Sequence, residues 1–230
     1  MIFKFKFVPF IVFVLAFALL VRLGVWQIDR WGEKTELLKQ YEININISLS
    51  EDGLEQDILE SNYKKLSITG VWVPKDMFFL DMRKHKGISG MQVVMPMLLS
   101  NGKKVLINRG WVKHTLGNKD NPIIKTPINK QNISGIIRSA NKSYFMTNDE
   151  SSKRKMFVDI EMLTENENNL FPGIVIQVGG EEDGLIRNWQ KPNFRPAMHL
   201  GYAIMWFAFA IILLVMSLYM SINREKIEGQ

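Results

Sequence analysis

His199 is the residue whose type and position offer the sharpest chemistry. It stands in the stretch Arg195-Pro-Ala-Met-His-Leu-Gly-Tyr-Ala-Ile-Met-Trp-Phe207, which opens a long apolar run ending near Met220. No Asp, Glu, Lys or Arg lies between Arg195 and Arg224. An imidazole changes charge near neutral pH, shares hydrogen bonds and ligates metals. An ionisable group at the edge of a membrane-length helix is a functional-site hypothesis by default. Helical spacing puts Tyr202, Ala203 and Trp206 on roughly the same face as His199. Small Ala203 beside these aromatics leaves room for a flat ring. Trp26, near the end of the other apolar run, lies at a similar depth to Trp206. Arg22 and Arg30, eight residues apart, share roughly one helix face, and a guanidinium binds carboxylates bidentately. Each residue also has a plain reading. His199 fits an interfacial histidine bonded to a backbone or arginine partner, the tryptophans fit an aromatic belt, and the arginines fit snorkelling to lipid headgroups. The residues alone leave both readings open.

Two apolar runs must carry these side chains. A helix needs roughly 20 apolar residues to cross a bilayer core of about 30 Å. Residues 7–25 form the first run and residues 197–220 the second, with Pro196 suited to a first helical turn. Ala16-Phe17-Ala18 resembles a signal-peptide cleavage site, but the apolar run continues well beyond it, which favours an uncleaved span. Lys4 and Lys6 precede the first span; Arg224 and Lys226 follow the second. The positive-inside tendency then places residues 1–6 and 221–230 in the cytoplasm and residues 26–196 on the periplasmic side. Without an Arg- and Ser-rich transit segment ahead of the first run, the expected site is a bacterial inner membrane. Ile28, Trp31, Thr35, Leu38 and Tyr41 recur at helical spacing, so the first helix is expected to continue beyond the membrane. Residues 42–60 read as a polar connector or short helix.

From Lys64 the pattern becomes β. Strand candidates are Leu66–Val73, Met77–Met82, Met91–Leu99, Lys104–Val112, Ile133–Ser139, Met156–Ile160 and Ile174–Val178. Ser100-Asn101-Gly102 between two such runs is a hairpin signal. Pro96 assigns its strand to an edge or a bulge; Gly70 and Gly110 read as bulges or close backbone approaches. Residues 118–132 read as a loop. The fold class is therefore a mainly β soluble domain, an antiparallel barrel or sandwich, between two transmembrane α-helices.

Composition narrows the chemistry. The formal charge is +6 and the pI about 9.4, with basic residues scattered and no nucleic-acid motif, so a solvated basic surface is the reading and nucleic acid is not a partner. There is no cysteine, which excludes disulfides, thiolate metal sites and cysteine nucleophiles. No Ser-His-Asp order, paired carboxylates or phosphate loop stands out, so catalysis is not expected. His85 and His114 lack metal-ligand spacing and read as solvent-facing. Arg109, inside a strand, reads as a structural ion pair or a partner contact. Glu181-Glu182-Asp183 reads as a polar turn.

Several stretches agree in order. They are Gly24-Val-Trp26-Gln27-Ile-Asp-Arg30, Thr69-Gly70-Val-Trp, Gly87-Ile-Ser-Gly90, Val105-Leu-Ile-Asn-Arg-Gly-Trp111 and His199-Leu-Gly-Tyr-Ala-Ile-Met-Trp-Phe207. Together, between two spans, they resemble the surfeit-locus family of cytochrome c oxidase assembly factors. The likeness covers nearly the whole chain. It departs at Met91, at Val112-Lys113 and at Met156-Phe157. The resemblance implies a non-enzymatic membrane protein that assists maturation of haem–copper oxidases. Its implied partners are the large catalytic oxidase subunit, other assembly factors and membrane lipid. It also implies transient binding of haem a, with His199 as axial ligand to the iron; Tyr202, Trp206, Trp26, Arg22 and Arg30 are the residues that spacing and depth place as candidates around it. An imidazole is a usual ligand to haem iron. The alternative is a scaffold that stabilises an oxidase intermediate without touching haem; a membrane-anchored sensor is a weaker third reading.

Overall fold

The computed structural model describes residues 7–51, 54, 58–114, 121–139, 152–160, 163–164, 167–180, 183–189 and 191–228. It divides into two compact units: residues 1–40 with 192–230, and residues 41–191.

The first unit is helical. Helix α1 is Phe7–Asn44 and α3 is Pro196–Glu228. The expected continuation of the first span is therefore present as one unbroken helix. At 1.5 Å per residue its 38 residues run about 57 Å, well beyond a bilayer core. Both helices are long and apolar enough to cross a membrane. Their apolar windows are only 6% and 11% buried, so neither is the core helix of a water-soluble domain. On α1 the least exposed positions include Phe13, Phe17, Leu20, Gly24 and Gln27; on α3 they include His199, Ala203, Trp206, Ala210, Leu213 and Ser217. Alternating spacings of four and three define a heptad-type seam on each helix. Small residues at Gly24, Ala203 and Ala210 suit helices that must pack closely without a hydrophobic drive between them. A Cβ on Gly24 would lie 2.7 Å from Phe207 Cε1, so only hydrogen fits there.

The second unit is a barrel. Its elements are β1 (Ser48–Leu49), α2 (Ile58–Ser61), β2 (Lys65–Trp72), a 3-10 turn (Pro74–Asp76), β3 (Phe78–His85), β4 (Ile88–Leu99), β5 (Lys104–Lys113), β6 (Gln131–Arg138), β7 (Arg154–Lys155) and β8 (Leu170–Val178). The sheet order is β1-β2-β6-β8-β5-β4-β3-β7, and β2 also pairs with β4. That extra pairing closes a ring of β2, β6, β8, β5 and β4, so the barrel alternative is realised. Its Greek-key path matches the small five-stranded barrels of binding domains, though a shared fold assigns no function. Three pairings depart from the antiparallel expectation: β5–β8, β1–β2 and β3–β7 are parallel.

β2 alternates cleanly, with Leu66, Ile68 and Trp72 inward. β5 is buried for seven successive residues, because Val105 and Ile107 face one core cluster and Leu106 another. Pro96 does not mark an edge. β4 is paired on both sides, and Pro96 sits where its neighbour on one side changes from β3 to β2. The Pro96 carbonyl accepts from Val73 N–H in the connection between those strands. The missing Pro96 N–H therefore falls at a natural gap in the ladder. Met156–Ile160 is not a paired strand; the pairing is made by Arg154–Lys155, while Val158 and Ile160 pack into the core with Phe78 and Leu80. Their apolar spacing serves packing rather than a ladder.

Gly110 is a bulge, as its type suggests. The pairing slips between Val93↔Gly110 and Val94↔Asn108, leaving Arg109 without an opposite residue. Its φ of +145° and the 2.9 Å approach of Leu185 Cβ to the space a Cβ would fill both require glycine. Gly70 is likewise a close approach, against the Leu98 carbonyl.

Candidate functional site

His199 and Gln27 meet across the helix pair. His199 Nδ1 lies 2.9 Å from Gln27 Oε1, and Gln27 is 8% exposed. An amide oxygen only accepts, so the Nδ1–H donates, and in the neutral ring the lone pair lies on Nε2. A ring nitrogen tied in this way is how proteins fix the tautomer and orientation of a metal-binding histidine. Gln27 belongs to a motif noted in the sequence, but no role could be read for it there. Its signal was a polar residue at a seam position of an otherwise apolar helix.

The other expected site residues are distributed unevenly around this pair. Ala203 is fully buried, and Phe207 fills the space over Gly24. The slot for a flat ring beside Ala203 is therefore closed, because the two helices pack there directly. Tyr202 and Trp26 are 44% and 42% exposed, on the outside of the pair. Trp206 packs edge-on against Phe209 with ring centres 6.1 Å apart. Arg30 is engaged on its own helix: its Nη1 donates to Glu33 at 2.6 Å, and its guanidinium lies 5.9 Å from the Trp26 ring centre. The Arg30 bond, opposed by desolvation and helped by the charges of Arg30 and Lys34, holds the Glu33 carboxyl below its ordinary value. Arg22 is exposed. The arrangement offers one imidazole tied at Nδ1 by a buried amide.

In the barrel, the bulge turns Arg109 into the interior at 2% exposure. Its Nη2 donates to Asp183 Oδ2 at 2.9 Å and to the Lys125 carbonyl at 3.1 Å; its Nη1 donates to Thr126 Oγ1 at 3.0 Å. Its guanidinium carbon lies 4.7 Å from the Trp72 ring centre. Asp183 also pairs with Arg187. Burial pulls the Arg109 guanidinium below its usual value, and Asp183 opposes that pull. This is the structural ion pair expected at Arg109, and it ties three distant segments together. Asp183 is its centre rather than part of a plain polar turn; Glu181 and Glu182 lie outside the described residues. His114 is not solvent-facing: its Nε2 is 2.8 Å from Asp81 Oδ1. His85 lies beside the Trp111 ring, centres 5.3 Å apart. Among the described residues no group of three or more His, Cys, Asp or Glu is placed to hold a metal ion.

A cleft of about 310 Å³ on the barrel has an apolar floor that includes Met77, Phe78, Pro96 and Leu106. Lys104 lies nearby, bonded to Glu167 at 3.0 Å and within 3.6 Å of Asp76.

A closed barrel, two helices of membrane-crossing length and a seam histidine oriented by a buried amide define a membrane-anchored β-barrel protein with its candidate site in the helix pair. The pattern of the SURF1 family matches residues 14–211. A SURF1-like protein of Rickettsia felis is 30% identical over 94% of this chain and 97% of its own length. A SURF1-like protein of Rickettsia conorii is 27% identical over 90% of this chain and 88% of its own. The cytochrome oxidase assembly protein SHY1 of Saccharomyces cerevisiae is 31% identical over 39% of this chain and 24% of its own. The chain belongs to the SURF1 family.

Proposed function

We propose that this chain is a non-enzymatic, membrane-anchored factor for cytochrome oxidase assembly that takes up haem a in transit to the large oxidase subunit. The observation that carries the haem reading is the His199–Gln27 bond. It leaves His199 Nε2 as a lone pair of fixed direction on a helix pair with exposed aromatics, Tyr202 and Trp26, on its outer side. The assembly role is supported by family membership and by the likeness to the yeast cytochrome oxidase assembly protein. In this reading the cargo lies against the outer face of the helix pair, where lipid accommodates its apolar ring. The imidazole supplies one iron ligand, and Gln27 keeps the Nδ1 proton away from the iron side. Arg22 is the basic residue available for a propionate, since Arg30 is held by Glu33. A single protein ligand at an open face suits uptake and release better than a closed pocket. The domain between the spans is periplasmic in this reading, and both termini are cytoplasmic.

The test is a visible spectrum of the detergent-purified protein co-expressed with haem a synthesis. His199→Ala should lose a stoichiometric haem a band. Gln27→Leu should keep the histidine but weaken binding about 10- to 100-fold, the usual cost of losing a residue that orients a ligand. Wild-type protein without haem, from membranes shown to contain haem a, would leave the scaffold reading in its place. Haem retained by His199→Ala would move the ligand elsewhere.

A further inference from the structure

Residues 121–130 form a strap with neither helix nor strand. The strap is pinned. Ile124 packs against Phe79, Met91 and Val93; Arg109 donates to the Lys125 carbonyl and to Thr126; Arg154 Nε donates to Asn121 Oδ1 at 2.9 Å. Yet it leaves Ile123 100% and Ile128 90% exposed. Among the described residues these exceed every exposed large apolar side chain of α1 and α3, where Val8 at 71% is the highest. A held loop that offers two whole isoleucine side chains to water is organised for something that covers them.

The composition decides what that is. Between the isoleucines and just after them stand Lys125 and Lys130, both exposed. No Asp or Glu occurs from 121 to 148. The strap has none of the Trp, Tyr or Arg anchors that dominate protein–protein interfaces. Branched apolar tips among lysines suit a bilayer interface, with the tips among acyl chains and the ammonium groups at phosphates. The bilayer is also within reach by chain length. Asp183, which holds the same arginine as the strap, precedes Pro196 by 13 residues, at most about 45 Å of chain. Such a tether raises the effective concentration of the surface, so two isoleucines suffice.

We infer that the strap 121–130 is a membrane-contact loop, with Ile123 and Ile128 inserted into the outer edge of the bilayer and Lys125 and Lys130 on anionic headgroups. The inference rests on the spanning role of α1 and α3 and not on haem binding.

The chain lacks cysteine, so single spin labels can be placed on the full-length protein in nanodiscs of phosphatidylglycerol and phosphatidylethanolamine. Ile123→Cys and Ile128→Cys should show high accessibility to oxygen and low accessibility to a water-soluble nickel chelate, as Ile212→Cys on α3 should. Glutamate at both Lys125 and Lys130 should shift the two strap labels toward water. Free access of the nickel chelate at both isoleucines would overturn the proposal. Shielding from both reagents would overturn it too, since that marks a protein partner or a second copy. Water-like behaviour at Ile212→Cys would instead sink the spanning reading on which the inference rests.

Discussion

Asp183→Ala should destabilise the barrel more than any single change to its arginine partner. Asp183 accepts from Arg109 at 2.9 Å with both side chains nearly out of solvent, 3% and 9% exposed. Removing one partner of a buried pair costs about 3–5 kcal/mol, because the remaining charge has neither water nor a counter-ion. Here Arg109 keeps the Lys125 carbonyl, Thr126 and the Trp72 ring, so the low end applies, about 3 kcal/mol. For a chain of this size that lowers the melting temperature by roughly 6–12 °C. Arg109→Met removes the charge itself and leaves Asp183 its bond to Arg187, so it should cost less. Arg109→Met with Asp183→Leu should recover part of the loss of Asp183→Ala, a coupling that neighbours in one network show and distant sites do not. Urea unfolding of the full-length protein in detergent, followed by tryptophan fluorescence, measures all three. Trp72 and Trp111 are buried in the barrel and report its opening. A loss under about 1 kcal/mol for Asp183→Ala, well short of what breaking a buried pair costs, would refute the reasoning. So would a double variant no more stable than Asp183→Ala.

Two further outcomes follow from the same geometry. Gly24→Ile should open the helix pair by overpacking against Phe207, at about 1–3 kcal/mol, and Phe207→Ala should restore it; spin-label distances between Val12→Cys and Leu218→Cys would broaden and then narrow again. The Asp81 carboxyl is pushed up by burial but brought net below its ordinary value by the Met82 N–H and by His114. Its contribution to stability is therefore present above the unfolded-state value and is lost as pH falls through the lower folded one. Acid titration of unfolding should show a component below about pH 4 that Asp81→Asn removes, and an unchanged acid limb in that variant would argue against the assignment.

Periodicity carried most of the fold. The alternation of Leu66, Ile68 and Trp72, the Asn101-Gly102 turn and the two apolar runs are local signals, and each produced its element. Closure of the barrel was not legible, because it depends on β4 exchanging one neighbour for another at Pro96, a long-range event with a misleading local cue. The parallel β5–β8 pair was hidden for the same reason: two strands separated by more than fifty residues carry no mark of their relative direction. His114 looked solvent-facing because its partner, Asp81, is 33 residues away. Arg109 fared better, since an arginine before a glycine inside an apolar strand has few ways to be accommodated. At the helix pair, His199 was conspicuous as an ionisable residue in a span, while the space imagined beside Ala203 was not real. Small residues in a membrane helix admit another helix as readily as a ligand.

Gln27 joins the two halves of that last point. A polar residue at a seam position weakens packing but specifies which layer of one helix meets which layer of the other. Gly24, one turn earlier on the same seam, accepts Phe207 only in that register. Shifting α3 so that the next seam residue, Ala203, faced Gln27 would leave the buried amide unsatisfied, a cost of about 1–3 kcal/mol. The Gln27–His199 bond thus selects the alignment, and that alignment fixes which nitrogen of His199 remains free. Register and the orientation of the imidazole are set by one interaction, so a residue noted only as part of a motif controls the residue that stood out.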